Sequence, residues 1–152
     1  MLKPIWWGAR ASPLALSAML VAGGVSGCAL FPTSDCTAES GAFQDGVLND
    51  PILSAMDTTK AEVVRISACD ASEGIPAINL QWSDANSVSI ERETEIAARA
   101  SGWHREESAS GNCWTKELGD RPAAAIVYTF NGLSVLQFRV VKPEDGPCGT
   151  FP

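Results

Sequence analysis

The chain has 152 residues, 45% of them hydrophobic, and carries 11 basic against 18 acidic residues for a net charge of −7. A chain of this length suits one domain with a modest core. The acidic balance argues against nucleic acid as a partner, since phosphate backbones are bound by clustered Lys and Arg, and against adsorption to anionic lipid by charge alone.

Met1 to Arg10 carries Lys3 and Arg10 and no acid, and Leu14 to Val25 is an apolar run broken by Ser17, Gly23 and Gly24. This is the anatomy of a signal peptide. The run closes on Val25-Ser26-Gly27-Cys28. Here the chain resembles the bacterial prolipoprotein class, whose lipobox takes Leu or Val, two small residues and Cys. The four residues match position for position, with Val25 where the class most often has Leu. The resemblance covers residues 1–28 only. It implies that residues 1–27 are removed and that the Cys28 thiol is alkylated by a diacylglycerol unit, membrane lipid then being a partner through Cys28. Two acyl chains give stable anchoring where one binds only marginally. The alternatives are an ordinary cleaved signal peptide, with Cys28 an early mature residue, and a spanning helix; the helix is the weaker, since it wants about 20 consecutive apolar residues, and Pro13, Ser17, Gly23, Gly24, Ser26 and Gly27 interrupt the window. Removal of residues 1–27 leaves 125 residues (152 − 27) and takes Lys3 and Arg10 with it, so nine basic face eighteen acidic residues for a charge of −9.

Apart from Cys28 the cysteines are Cys36, Cys69, Cys113 and Cys148. An even number in an exported chain predicts two disulfides. Four cysteines allow three pairings; Cys36 with Cys69 and Cys113 with Cys148 is favoured, because each joins neighbouring parts of the chain. Each bridge would close a loop of about 35 residues and contribute about 3 to 4 kcal/mol. A zinc site would want a paired CxxC, which is missing, and the chain has the single histidine His104. No metal or cofactor is expected.

Ala29 to Gly46 is rich in Pro, Ser, Thr, Asp and Gly and reads as a tether following the lipidated cysteine over residues 28–45. If Cys36 is bonded into the fold, eight residue steps (36 − 28) separate it from Cys28, a reach of at most about 27 Å. Residues 46–152 then form the single domain. Asp50-Pro51 has the pattern of a helix N-cap with proline in the first turn, starting a short segment through Met56. Glu62 to Cys69 reads as a strand, with Val64, Ile66 and Ala68 alternating against Arg65 and Ser67. After a turn over Asp70 to Gly74, Ala77 to Ser83 resumes the alternation, Ile78, Leu80 and Trp82 on one face and Asn79 and Gln81 on the other. These two strands are expected to pair.

Ser89 to Ser101 predicts the main helix, with Ser89 as cap and Arg99 near its end. Glu91, Arg92, Glu95 and Arg99 form its polar face, and Ile90, Ile96, Ala97 and Ala100 its packing side. Gly102 supplies the stop, and Trp103 closes over the last turn. His104 then falls in a solvated loop. Cys113 to Glu117 predicts a further strand, with Trp114 against a disulfide.

The strongest local signal is Asn131-Gly132 between Ala124 to Phe130 and Leu133 to Val141, which specifies a two-residue hairpin turn. In that register Phe130 faces Leu133, Tyr128 faces Val135, Val127 faces Leu136 and Ala125 faces Phe138. Ala125, Val127, Leu136, Phe138 and Val140 make the core face. Ile126, Tyr128, Phe130, Leu133 and Val135, followed by Gln137 and Arg139, make the other, which is apolar at the turn end. Cover by the segment before Cys69 is the expected arrangement for that second face, since large bare apolar patches are unusual.

Catalytic constellations are absent: there is no GxSxG, HExxH, GxGxxG or P-loop pattern, and His104 has no partner in sequence. Asp84 and Asn86 start like a calcium loop, but the turn glycine and closing glutamate are missing. Glu93 is the one acid on the apolar side of the main helix. Two function classes remain. One is a non-catalytic module of the cell envelope that binds an envelope protein or component through Tyr128, Phe130, Leu133 and Val135. The other is a small envelope hydrolase using carboxylates such as Glu93, or Asp70 with Glu73. The fold expected is α+β: an antiparallel sheet of about five strands, the main helix across one face, a minor helical turn near Pro51 and two disulfides.

Overall fold

The computed structural model describes residues 33–71, 74–107, 112–146 and 148. The lipobox Val25–Cys28, the signal segment 1–27 and Glu73 lie outside them. The described residues run α1 (Thr33–Leu48), α2 (Pro51–Ser54), β1 (Glu62–Ile66), β2 (Ala77–Trp82), α3 (Ser87–Ala100), β3 (His104–Glu106), β4 (Cys113–Leu118), β5 (Arg121–Phe130) and β6 (Leu133–Val140). The strands form one sheet in the order β1-β2-β6-β5-β4-β3, and every neighbouring pair is antiparallel. The class is α+β.

The central hairpin follows from its turn. Asn131 and Gly132 take φ of 50° and 80°, the left-handed pair that matches the twist of the flanking strands and that Asn-Gly tolerates. The resulting register sets Phe130 against Leu133, Tyr128 against Val135, Val127 against Leu136 and Ala125 against Phe138, as expected. β1 and β2 pair as expected too.

Sheet alternation divides the core in two. On one face Ile78, Leu80, Trp82, Trp114, Ala123, Ala125, Val127, Leu136 and Phe138 join buried residues of the helices: Phe43 and Val47 of α1, Ile52 of α2, and Ile90, Ala97 and Ala98 of α3. On the other, Cys113, Ala124 and Ile126 pack with Val141 and Cys148 of the C-terminal segment, and no α-helical residue belongs to this smaller cluster.

Three expectations about elements are corrected. Six strands replace about five, because β3 pairs His104, Arg105 and Glu106 with Thr115, Trp114 and Cys113; three residues are too few to display an alternation. His104 is therefore exposed on an edge strand rather than in a loop. The tether expected over residues 28–45 is helical from Thr33 onward. Its small polar residues favour loops in isolation, but Phe43 and Val47 share a face one turn apart and are buried, and packing rather than propensity carries most helices. Gln44 Nε2 secures the same helix by donating to the Ile66 carbonyl at 3.0 Å.

The main helix starts earlier than expected and buries a different stripe. Its cap is Asn86, extended at φ −75° and ψ 132°, whose side chain accepts from Val88 N; Ser89 instead donates back to the Asn86 carbonyl. The buried positions are Ile90, Thr94, Ala97 and Ala98, while Ile96 is 62% exposed and Ala100 is exposed. Six steps at about 100° each place Ile96 about 120° around from Ile90. Thr94 replaces it at the interface because its hydroxyl is satisfied by the Ile90 carbonyl at 2.7 Å. The helix stop follows the expected pattern: Gly102 has φ 78°, and Trp103 N donates to the Ala98 carbonyl. Its indole lies edge-on to Phe138 at 5.6 Å between centroids.

Both favoured disulfides form. Cys36–Cys69 ties the start of α1 to the turn after β1, and Cys113–Cys148 ties β4 to the C-terminal segment, with Cα separations of 5.8 and 6.1 Å.

Candidate functional site

The hairpin tip of β5 and β6 is the place where the expected patch can be checked. Period-two alternation puts Tyr128, Phe130, Leu133 and Val135 on the face away from the helices. Their burial is unequal: Phe130 is 59% exposed, Tyr128 and Leu133 are half-buried, and Val135 is 1% exposed. The patch therefore contracts to Phe130 with the flanks of Leu133 and Tyr128. Burial pushes the Tyr128 phenol above its ordinary value, against the opposing pull of the Arg139 charge.

The cover expected from the segment before Cys69 comes from the other end of the chain. Val141 and Cys148 pack on Cys113, Ala124 and Ile126, with Tyr128 at the margin of that cluster. The Cys113–Cys148 bridge fixes this cover in place. Opposite the covered Ala124 and Ile126 the β6 side of this face is polar, with Arg139 and Gln137 there: Gln137 Nε2 donates to Asn79 Oδ1 at 3.0 Å, and Arg139 is buried.

An open trough of about 300 Å³ lies at the β3–β4–β5 end, lined by His104, Thr115, Glu117, Pro122 and Val141 among others. Thr115 Oγ1 donates to Glu106 Oε1 at 2.7 Å. Among the described residues no three His, Cys, Asp or Glu side chains gather into a metal-binding group. Of the carboxylates expected to serve a hydrolase, the two among the described residues are not buried: Glu93 is exposed on α3, and Asp70 is exposed after β1. Glu93 had been read onto the apolar side, and the shift of the buried stripe to Ile90, Thr94, Ala97 and Ala98 removes it from there.

Two charged clusters lie on the helix side of the sheet, one around a buried carboxylate and one partly exposed on α3. The buried Asp50 carboxylate accepts from Ile52 N at 3.0 Å, Trp103 Nε1 at 3.1 Å and Lys116 Nζ at 2.7 Å. Lys116 also donates to the Ser101 carbonyl at 2.8 Å. One carboxylate thus caps α2, holds the indole that closes α3 and pairs with a β4 lysine. The second cluster centres on Glu95, which accepts from Trp114 Nε1 at 2.8 Å and from Arg99, with Arg105 beside it at 3.6 Å. Burial raises the Glu95 carboxyl, but the Trp114 and Arg99 hydrogen bonds and the Arg99 and Arg105 charges outweigh it, so the net direction is downward. Trp114 is thereby corrected: alternation sends Cys113 to the opposite face, and the indole packs under α3 rather than on the disulfide.

The Asp50–Lys116 pair escaped the sequence reading, although a signal for it existed. Lys116 lies between Trp114 and Leu118 at period two, on a face that must be buried, and a lysine there demands an acid. Comparison of the chain with protein-family models, curated proteins and solved structures finds no match.

Proposed function

We propose that the protein is a lipid-anchored protein of the bacterial cell envelope, held through Cys28 on the extracytoplasmic side, whose α+β domain is a non-catalytic interaction module. Two disulfides fit an oxidising compartment. Among the described residues no helix is long and apolar enough to cross a membrane; in this reading the lipobox Val25-Ser26-Gly27-Cys28 supplies the anchor.

The observation that carries the interaction reading is Phe130, a large aromatic side chain left 59% exposed at the tip of a hairpin whose register is otherwise fully paired. Aromatic side chains on rigid supports are favoured anchors at protein interfaces because little freedom is lost when they are covered. The partner expected is an envelope protein or component presenting an apolar pocket.

A photoreactive phenylalanine analogue at Phe130, in the membrane-held protein, tests this. A discrete adduct is expected from that position and not from Thr129, which is exposed on the other side of the same strand. Equal labelling from both positions would defeat the patch. For the anchor, Cys28→Ser should abolish incorporation of a tagged fatty acid and release the protein from membranes; retained label on the variant would rule out Cys28 as the acylated residue.

A further inference from the structure

The two disulfides differ in how they meet solvent. Cys113 and Cys148 are 0% and 4% exposed, inside the second core cluster. Cys36, the fourth residue of α1, is half-buried, and Cys69 is exposed in the turn after β1. Disulfide exchange requires in-line approach of a thiolate to one sulfur, and its rate depends on access and on how readily the other sulfur leaves. Both conditions favour the same bridge. Cys69 offers the accessible sulfur, and Cys36 leaves as a thiolate near a helix N-terminus, where the macrodipole stabilises negative charge.

The consequence of opening is local. Beyond the bridge, Ser40 is buried, donating to the Cys36 carbonyl at 2.6 Å and accepting from Ala68 N at 2.9 Å. Phe43, Gln44 and Val47 then hold the rest of α1 to the sheet. Thr37, Ala38 and Glu39 before Ser40 are exposed; Thr37 Oγ1 lies 3.5 Å from Cys69 Sγ, and Glu39 forms an exposed ion pair with Arg121 of β5, a contact worth little at a surface.

From this asymmetry we infer that Cys36–Cys69 is a reducible latch on the first turns of α1, opened by a dithiol donor while Cys113–Cys148 stays closed. One thiolate of the donor attacks Cys69 Sγ, the disulfide breaks and its electron pair leaves on Cys36. The second thiol of the donor then attacks the mixed disulfide, so the donor ends as a disulfide, and Cys36 and Cys69 end as thiols after taking up the two protons the donor gives up. Under the anchored reading proposed above, the opened latch moves the first fixed residue away from Cys28 and lengthens the tether; the latch itself does not depend on the lipid.

The test uses the full-length protein purified without reductant, its free thiols blocked first with one maleimide. It is then exposed to dithiothreitol under native conditions, and newly released thiols are trapped with a second maleimide and mapped by mass spectrometry. Cys36 and Cys69 are expected to label at least about tenfold faster than Cys113 and Cys148. With glutathione in place of the dithiol, the trapped mixed disulfide is expected on Cys69. Hydrogen exchange of the opened protein should rise over residues 36–40 and stay unchanged in β5 and β6. Release of both bridges at one rate, a mixed disulfide on Cys36, or loss of protection throughout the sheet would each overturn the inference. The Cys36→Ser/Cys69→Ser double variant should reproduce the local exchange pattern without reductant; a protected first turn in it would do the same damage.

Discussion

The two faces of the sheet are built to different rules. The helix side buries large apolar residues and the Asp50 carboxylate bonded to Lys116, and carries at its margin the partly exposed Glu95 bonded to Trp114. The other side is covered by a short C-terminal segment held by one disulfide, and it ends in an exposed aromatic tip. A surface shielded by three helices loses stability when any part is cut. A surface covered by a stapled strap concentrates its vulnerability in the staple and leaves the tip free to vary.

The sharpest test of this contrast is Asp50→Ala. It removes the α2 cap, takes the acceptor from the Trp103 indole N–H and leaves Lys116 with the Ser101 carbonyl alone, and breaking a buried ion pair costs about 3 to 5 kcal/mol. Denaturant unfolding should show that loss as a lowered midpoint with an unchanged slope.

Next in size is a comparison of the two bridges. Their sequence separations are 33 and 35 residues, so the chain-entropy contribution is nearly the same, about 3 to 4 kcal/mol each. Any difference between the Cys36→Ser/Cys69→Ser and Cys113→Ser/Cys148→Ser variants therefore reports the folded environment. The second variant should lose more, because it also unfastens the cover over Ala124 and Ile126. Equal thermal shifts would contradict the strap.

Glu95→Gln should cost about 1 to 2 kcal/mol at neutral pH, as expected for a hydrogen bond to a charged group. Because the folded carboxyl lies below its ordinary value near 4.5, its contribution is fully present above that value and is lost as pH falls through the folded pKa. The stability gap between wild type and variant should narrow as pH falls below 4.5 and close once the folded carboxyl is protonated. A gap independent of pH would show that shape rather than charge matters there.

At the tip the effects should be smallest. Phe130→Ala and Ile96→Lys are each expected to stay within about 0.5 kcal/mol, as for exposed substitutions elsewhere, while the buried Ile126 on the same face as Phe130 should cost several times more when cut to Ala. Tyr128 is the only tyrosine in the chain, so absorbance titration reads it alone. Its midpoint should lie above 10.0 in the folded protein and return to the ordinary value in denaturant. With the folded pKa raised, this group's contribution is intact below the unfolded value and declines as pH rises through the folded one; Tyr128→Phe should remove that alkaline loss.

How much could be read in advance depends on the range of each interaction. The Asn131-Gly132 turn, the Asp50-Pro51 cap and the Gly102 stop are set by backbone sterics within a few residues, and all three stand where the pattern put them. The cap of α3 lies at Asn86 rather than Ser89, three positions on, because both residue types cap well and the local pattern does not choose between them. The strand β3 has too few residues to show a period. For the tip, alternation named the right side of the strand but not the depth. Val135 is buried and Phe130 is not, although the two are alike in hydrophobicity and share a face.

By itself the sequence determined what local chemistry and counting can settle: the hairpin and its register, the pairing of β1 with β2, the α+β class and an even set of cysteines suited to two bridges. Tertiary structure decided which residues of α3 turn inward, that the segment before Asp50 is a helix, that the C-terminal strap and not the segment before Cys69 covers the second face, and that Asp50 meets Lys116 across 66 positions. These are contacts between residues far apart in the chain. Their free energy depends on burial and on partners that no local pattern specifies.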